Sequence, residues 1–177
     1  FNTKAQNNEL TWRNINQATI YGAELEIKKN LNFISNSRNS FSLGGNVSYI
    51  YSEVTIDPQE LQAIRASDPT ASSTRPMFGQ SPYILNVFFG YKNDSLGFSA
   101  NISYNVAGSK IALVVMGATP DVYSRPVNQL DFNINKNLGK HFKMNFKANN
   151  ILNPIVKKTY NYQSVDYIFN SYKNGIT

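Results

Sequence analysis

Residues Leu96 to Val106 read LGFSANISYNV. Leu96, Phe98, Ala100, Ile102, Tyr104 and Val106 fall on one parity. Gly97, Ser99, Asn101, Ser103 and Asn105 fall on the other. Successive side chains of a strand point to opposite faces, so one face here is wholly apolar and the other small and polar. The fold turns on which of these faces meets water and what lies against the other.

The same alternation recurs along the chain. Tyr21, Ala23, Leu25 and Ile27 alternate with Gly22, Glu24, Glu26 and Lys28. Phe41, Leu43, Val47, Tyr49 and Tyr51 alternate with Ser42, Gly44, Asn46, Ser48 and Ser52, with lapses at Gly45 and Ile50. Tyr83, Leu85, Val87, Phe89 and Tyr91 share a face opposite Asn86, Gly90 and Lys92. Leu130, Phe132 and Ile134 alternate with Asp131, Asn133 and Asn135. Phe142, Met144, Phe146 and Ala148 alternate with Lys143, Asn145, Lys147 and Asn149. With the opening stretch, this predicts six antiparallel strands of about ten residues each.

The links between them alternate in length. Asn93-Asp94-Ser95 and Asn137-Leu138-Gly139-Lys140 read as tight turns, and residues 29–40 as a modest link. Residues 54–80, 108–126 and 153–175 read as long loops. Short links therefore gather at one end of the strands and long loops at the other. In the first long loop, Asp57 suits a helix cap, Pro58 the first helical position and Glu60 a capping box, which predicts one or two helical turns. The remainder of that loop reads as irregular.

Composition narrows the setting. The 177 residues suffice for one domain, and 11 Tyr with 11 Phe lean towards strands. There is no Cys, so no disulfide staples the fold. The net charge of +6 comes from scattered Lys and Arg with no basic stripe, which argues against nucleic acid. No apolar run is long enough for a membrane helix, but membrane strands leave hydropathy windows nearly blank.

In a soluble sandwich the apolar faces would pack on each other. In an outer-membrane barrel they would face lipid, and the polar faces would line a lumen. Strands of about 9–11 residues, tilted by about 45°, cross the hydrocarbon layer, and these segments match. Tyr21, Tyr49, Tyr51, Tyr83 and Tyr104 fall towards the long-loop ends. Phe41, Tyr91, Phe98 and Phe142 fall at the other ends, with mainly aliphatic residues between. Two aromatic belts around an aliphatic band are what a bilayer selects. No charge interrupts an apolar face at mid-strand. The reading is therefore all-β: an antiparallel transmembrane β-barrel segment with long extracellular loops. Six strands with open edges leave backbone groups unpaired in lipid, so we expect a larger barrel around them.

Several runs resemble the TonB-dependent outer-membrane receptors. They are IYGAELEI at Ile20–Ile27, RPMFGQSPYILNVFFGYKN at Arg75–Asn93, YNVAGSKI at Tyr104–Ile111 and PDVYSRPVNQLDFNINKNLGKHFKMNFKANNILN at Pro120–Asn153. Their order and spacing are closest to the subgroup that often carries a carboxypeptidase-regulatory-like domain ahead of the plug. The resemblance implies a barrel of about 22 strands with a plugged lumen. This chain would supply about strands 16–21 of it, with the plug and the closing strand lying outside residues 1–177. It implies import of a scarce nutrient, whether siderophore, haem, cobalamin, oligosaccharide or peptide, driven by TonB. The implied partners are membrane lipid and lipopolysaccharide, the rest of the barrel and its plug, the TonB complex and, in some relatives, a surface lipoprotein. A passive pore or a structural barrel is the alternative.

Enzymatic chemistry finds little support. The one histidine, His141, falls beside a tight turn at the inner end, with no Ser partner implied. No cofactor is expected, and no Cys or His cluster suggests a metal. Glu24, Glu26 and Lys28 share a lumen face and read as a salt-bridged wall. A ligand would be held in the outer loops. The candidates are Arg65, Arg75, Met77 and Phe78 in the first, Tyr123 and Arg125 in the second, and Tyr160, Tyr162 and Tyr167 in the third. Their aromatic rings would stack on a sugar or heterocycle, and their guanidinium groups would hold carboxylate or phosphate.

Overall fold

A computed structural model describes residues 2–4, 9–11, 17–115, 119–139, 141–162 and 165–177, with backbone alone for those before residue 17. Lys140, expected in the second tight turn, lies outside the described residues. In chain order the elements are β1 (Asn2–Lys4), β2 (Glu9–Thr11), β3 (Ala18–Asn30), β4 (Asn39–Thr55), α1 (Pro58–Ser67), β5 (Thr74–Arg75) and β6 (Tyr83–Asn93). They continue with β7 (Phe98–Ala107), β8 (Lys110–Val115), β9 (Val122–Ser124), β10 (Gln129–Leu138), β11 (Phe142–Ala148), β12 (Val156–Tyr162) and β13 (Val165–Tyr172).

The six expected strands form one antiparallel sheet in the order β11-β10-β7-β6-β4-β3. Each lies beside its neighbour in sequence. The register keeps the two faces largely apart, although Ile84 and Phe88 fall on the polar parity, opposite Ser48 and Gly44. Leu25, Val47, Leu85 and Val106 fall in one row across four strands, and Asn46, Asn86, Asn105 and Gln129 fall in a row of the other parity. Even the lapse at Ile50 is accommodated, because its cross-strand partner is Gly22, which brings no side chain to that spot.

Among the described residues, the apolar face stays largely exposed. Leu25 is 59% exposed, Val47 44% and Phe146 53%. The opposite face satisfies itself. Asn46 donates to Glu24 at 2.7 Å, Asn86 to Asn46 at 2.7 Å and Asn105 to Asn86 at 2.6 Å, an amide ladder across four strands. Lys28 pairs with Glu26 at 2.6 Å, as the salt-bridged wall required. Aromatic rings gather at both ends. Tyr21 stacks on Tyr51 with centroids 4.8 Å apart at one end, and Tyr91 lies 5.0 Å from Phe41 and 5.8 Å from Phe98 at the other.

The short links close as turns. Asn93 accepts from the Leu96 amide, and Gly97 takes a positive φ of 58° that favours glycine. Gly97 was not part of the turn as read from sequence. Its conformation completes the turn after Asp94-Ser95.

The long links depart from expectation. Residues 108–126 contain β8 and β9, and residues 153–175 contain the β12–β13 hairpin. These strands form a second sheet in the order β13-β12-β9-β8-β1-β2, in which β1 runs parallel to β8. The first loop, past its helix, is not irregular throughout, because Thr74 and Arg75 pair with Thr55 and Val54 of β4. α1 runs for ten residues, longer than one or two turns. The buried apolar residues Val54, Ile56, Ile111, Val122 and Val156 all lie in this outer layer, and Ile111 is fully enclosed. The molecule's core thus sits above the long sheet and not against it. Strands buried against such a small core need only one inward apolar residue each, so they carry no sustained alternation to be read.

Candidate ligand-binding layer at the outer end

β4 is the mast that carries the outer layer. At 17 residues it is longer than a membrane crossing needs. At about 3.3 Å per residue and a tilt of about 45° it rises about 40 Å, past a hydrocarbon layer of about 30 Å. Its projecting end holds β5 by strand pairing and leads directly into α1. Asp57 caps α1 by accepting from the amides of Gln59 and Glu60, and Pro58 occupies the first turn. The carboxylate of Glu60 has a longer-range task that the capping pattern does not announce: it is buried and pairs with Arg75.

Arg75 is the centre of an ion network. One terminal nitrogen meets Glu60 of α1, and the other donates to both carboxylate oxygens of Asp121 at 2.9 Å. Asp121 also accepts from the Val115 amide at 3.1 Å. Three separate segments are thereby fastened through one guanidinium, whose side chain is only 11% exposed. Burial lowers the affinity of Arg75 for its proton, but the two carboxylates more than offset this and hold its pKa above the ordinary value. Asp121 is pushed the other way from a usual ion-paired acid. Burial raises its pKa, and the attraction of Arg75 does not fully reverse that.

The second cationic candidate is similarly engaged. Arg125 donates from Nε to Thr159 at 2.6 Å and from a terminal nitrogen to Asp166 at 2.5 Å, joining the strand end after β9 to the β12–β13 hairpin. Tyr123 is half-buried beside Asp121, and burial raises its pKa. Arg65, at the end of α1, closes the following loop by donating to the Ala71 carbonyl at 3.2 and 3.1 Å.

The aromatic and thioether candidates are placed differently. The Met77 amide donates to Ser52 of β4 at 3.2 Å, and Phe78 beside it is 42% exposed. Tyr160 and Tyr167 stack across the last hairpin with centroids 5.5 Å apart, and Tyr167 remains 44% exposed. Tyr162, 40% exposed, reaches a cleft of about 490 Å³ between α1, the loop after it and the end of β12. Ile56 and Ile64 line this cleft with Asp68, Thr70, Thr74, Asp121 and Asn161. Sequence reasoning did not single out Asp68, Asp121 or Asn161. The N-cap pattern at Asp57 located the helix, but nothing local to Asp121 signals that it folds against Arg75. His141 is exposed in the turn before β11, at the inner end where sequence placed it.

No helix among the described residues is long and apolar enough to cross a membrane, which leaves crossing by strands open. No group of three potential metal ligands occurs among the described residues. No curated protein and no solved structure matches the chain. The family described as TonB dependent receptor-like, beta-barrel matches residues 1–151. That span takes in all six strands of the long sheet together with the Arg75 network. The chain belongs to the TonB-dependent receptor β-barrel family, non-enzymatic receptors and transporters of the bacterial outer membrane.

Proposed function

We propose that this chain is the C-terminal part of a larger barrel that imports a scarce nutrient with TonB-supplied energy, and that the outer layer grips the nutrient before passage. The cargo classes are those of the family resemblance: siderophore, haem, cobalamin, oligosaccharide or peptide. The observation that carries the reading is the folded layer itself. Here the chain places its buried core, a helix and a second sheet at the outer end, where an arriving solute would meet them first. Phe78, Tyr162 and Tyr167 supply exposed rings for contact. Arg75, Arg125, Arg65, Met77, Tyr123 and Tyr160 hold the surface on which that contact is made. The apolar face of the long sheet packs against lipid and lipopolysaccharide, and a surface lipoprotein is a further partner for the layer.

One backbone contact supports the larger barrel. Asn149 and Thr177 exchange both amide-to-carbonyl bonds, at 2.5 and 3.2 Å. Reciprocal exchange is the rung of an antiparallel ladder. The plug and the remaining strands would complete the wall and fill the lumen.

The test is uptake. Cells carrying the full receptor are given a panel of ferric siderophore, haem, cobalamin, oligosaccharide and peptide, with and without TonB. Import of one class that stops without TonB is the expected result. Passage of small solutes that is indifferent to TonB would establish the passive pore.

A further inference from the structure

The outer sheet carries a basic row on one of its faces. The register sets Lys110 of β8 opposite Ser124 of β9, Ser124 opposite Lys158 of β12, and Lys158 opposite Asn170 of β13. Directly opposed residues point to the same side of a sheet, so these four side chains share a face. The next row, Ile111, Tyr123 and Thr159, points to the other side. In that row Ile111 and Thr159 are buried and Tyr123 is half-buried, so it is the one that meets the core. The basic row looks outward: Lys110 and Asn170 are exposed, and Ser124 and Lys158 are half-buried.

Charge pairing divides along the same line. Arg75 is matched by Glu60 and Asp121 in the core, and Arg125, beside the inward row, by Asp166. Lys110 and Lys158 have no ion pair among the described residues. Their strands are separated only by β9, which sets the two backbones about 10 Å apart at the usual strand spacing.

A second, independent observation says what lies in front of this row. The lipid-facing parity of β7 runs straight into it. Past β7, the Gly108 amide donates to the Tyr83 carbonyl at 2.8 Å, and the Gly79 amide donates to the Ile111 carbonyl at 3.0 Å, so the chain stays alongside the segment leading into β6. Tyr104, Val106, Gly108 and Lys110 therefore keep one parity, and Ile111 turns inward. Lys110 stands twelve residues beyond Phe98 of the inner aromatic belt. At about 3.3 Å per residue and a tilt of about 45°, that is a rise of about 28 Å, just past an apolar band about 25 Å tall. Its ammonium is thus level with the headgroups of the outer leaflet.

We propose that Lys110 and Lys158, with Ser124 between them and Asn170 beside them, bind the phosphate groups of lipopolysaccharide. The two ammonium groups supply charge-assisted hydrogen bonds, and the hydroxyl and amide supply neutral donors in the same row. The proposal rests on the reading that this side of the sheet meets lipopolysaccharide, and deepens it by naming the residues that hold the headgroup.

The experiment titrates the full receptor in detergent with fluorescent lipopolysaccharide, intact or chemically stripped of its phosphates. Lys110→Gln and Lys158→Gln should each weaken binding of the intact form about fivefold, the effect of one basic side chain near an anionic surface. Arginine at both positions should keep wild-type binding. Lys157→Gln removes the same charge from the opposite parity of β12 and should change nothing. Added salt should weaken binding, and the stripped form should bind weakly and alike to wild type and variants. Inorganic phosphate in excess should compete poorly, because it lacks the acyl chains that lie on the apolar rows. Equal loss in Lys157→Gln would make net charge the cause and overturn the proposal. So would tight binding of the stripped form, or full displacement by inorganic phosphate. If wild type binds intact lipopolysaccharide and neither glutamine variant weakens it, the row falls while the lipopolysaccharide-facing reading stands. If wild type binds none, that reading falls with it.

Discussion

At the scale of single residues, the outer layer depends on Arg75. Its guanidinium is the shared counter-charge of Glu60 and Asp121, and all three side chains are largely out of water. Removing one partner of a buried ion network leaves the rest uncompensated, at about 3–5 kcal/mol. Arg75→Met should therefore loosen α1, β5 and the segment around Asp121 without touching the long sheet. Amide exchange read by mass spectrometry should show exchange faster by about a hundredfold or more in residues 56–75 and 110–124, with β6 and β7 unchanged. Uniform acceleration through the sheet would mean that the network does not act locally. Asp121 sets a pH dependence of opposite sign to that of an ordinary ion-paired acid. Its folded pKa is raised, by burial first. A raised folded pKa gives stability that is complete below the unfolded value and lost as pH rises through the folded value. The Val115 amide, which bonds to Asp121, should thus become better protected as pH falls from neutral towards about 4, after correction for intrinsic exchange. Asp121→Asn should flatten that trend, and a loss of protection on acidification would refute the assignment. None of this network was legible beforehand. Arg75 and Arg125 stood out as cations in loops, but their partners lie 46 and 41 residues further along the chain. Only a register between loops brings them together, and loop registers leave no periodic trace.

At the scale of elements, the legible part was the part that a bilayer disciplines. Each lipid-facing strand must exclude polar groups from one whole face, so parity in the sequence becomes parity in the sheet. The reading of LGFSANISYNV follows directly, since Ala100, Ile102 and Tyr104 share a parity with rows of apolar partners in β6 and β10, while Phe98 at the inner end faces Asn93 and Lys136. A charge test separates the two faces. Ile102→Lys places an ammonium on the lipid face near mid-strand and should destabilise the barrel by about 2–4 kcal/mol. Ser103→Lys, one residue on, faces Asp131 across the ladder and should be nearly neutral. Urea unfolding of the full receptor in micelles measures both, and equal costs would remove the lipid-facing reading. The strands of the outer layer escaped detection for the complementary reason. β12 reads VKKTYNY, and of its seven residues only Val156 and Thr159 are buried. A strand anchored at two points has too little apolar content to advertise its period. The helix was legible because its signal is local: Asp57 and Pro58 mark its start whatever packs on it later. Its length was not, since Arg65 and Ser67 carry no stop signal and the end comes only at Asp68-Pro69.

At the scale of the whole molecule, the sheet assigns three environments to three sets of positions. The outer layer faces the exterior, the links after β3, β6 and β10 face the periplasm, and the apolar rows face lipid. The absence of any Cys from the chain makes this directly measurable, because each introduced thiol is the chain's own single label. Ala66, exposed on α1, marks the outside, Asn32, exposed in the link after β3, marks the inside, and Leu25 marks the lipid row. In cells carrying the full receptor, Ala66→Cys should react with a membrane-impermeant maleimide in intact cells. Asn32→Cys should react with it only after the outer membrane is opened. Leu25→Cys should resist the aqueous reagent in both conditions and react with a lipid-soluble one. Reversal of the first two would invert the orientation and place the Arg75 network and the cleft in the periplasm, where neither could meet a nutrient arriving from outside. Ready aqueous labelling at all three would return the Ser and Asn face and the apolar face alike to water. The expected pattern fixes the sidedness of the sheet: the ion-fastened layer built on β4 lies outside, and the amide-lined face lies beneath it.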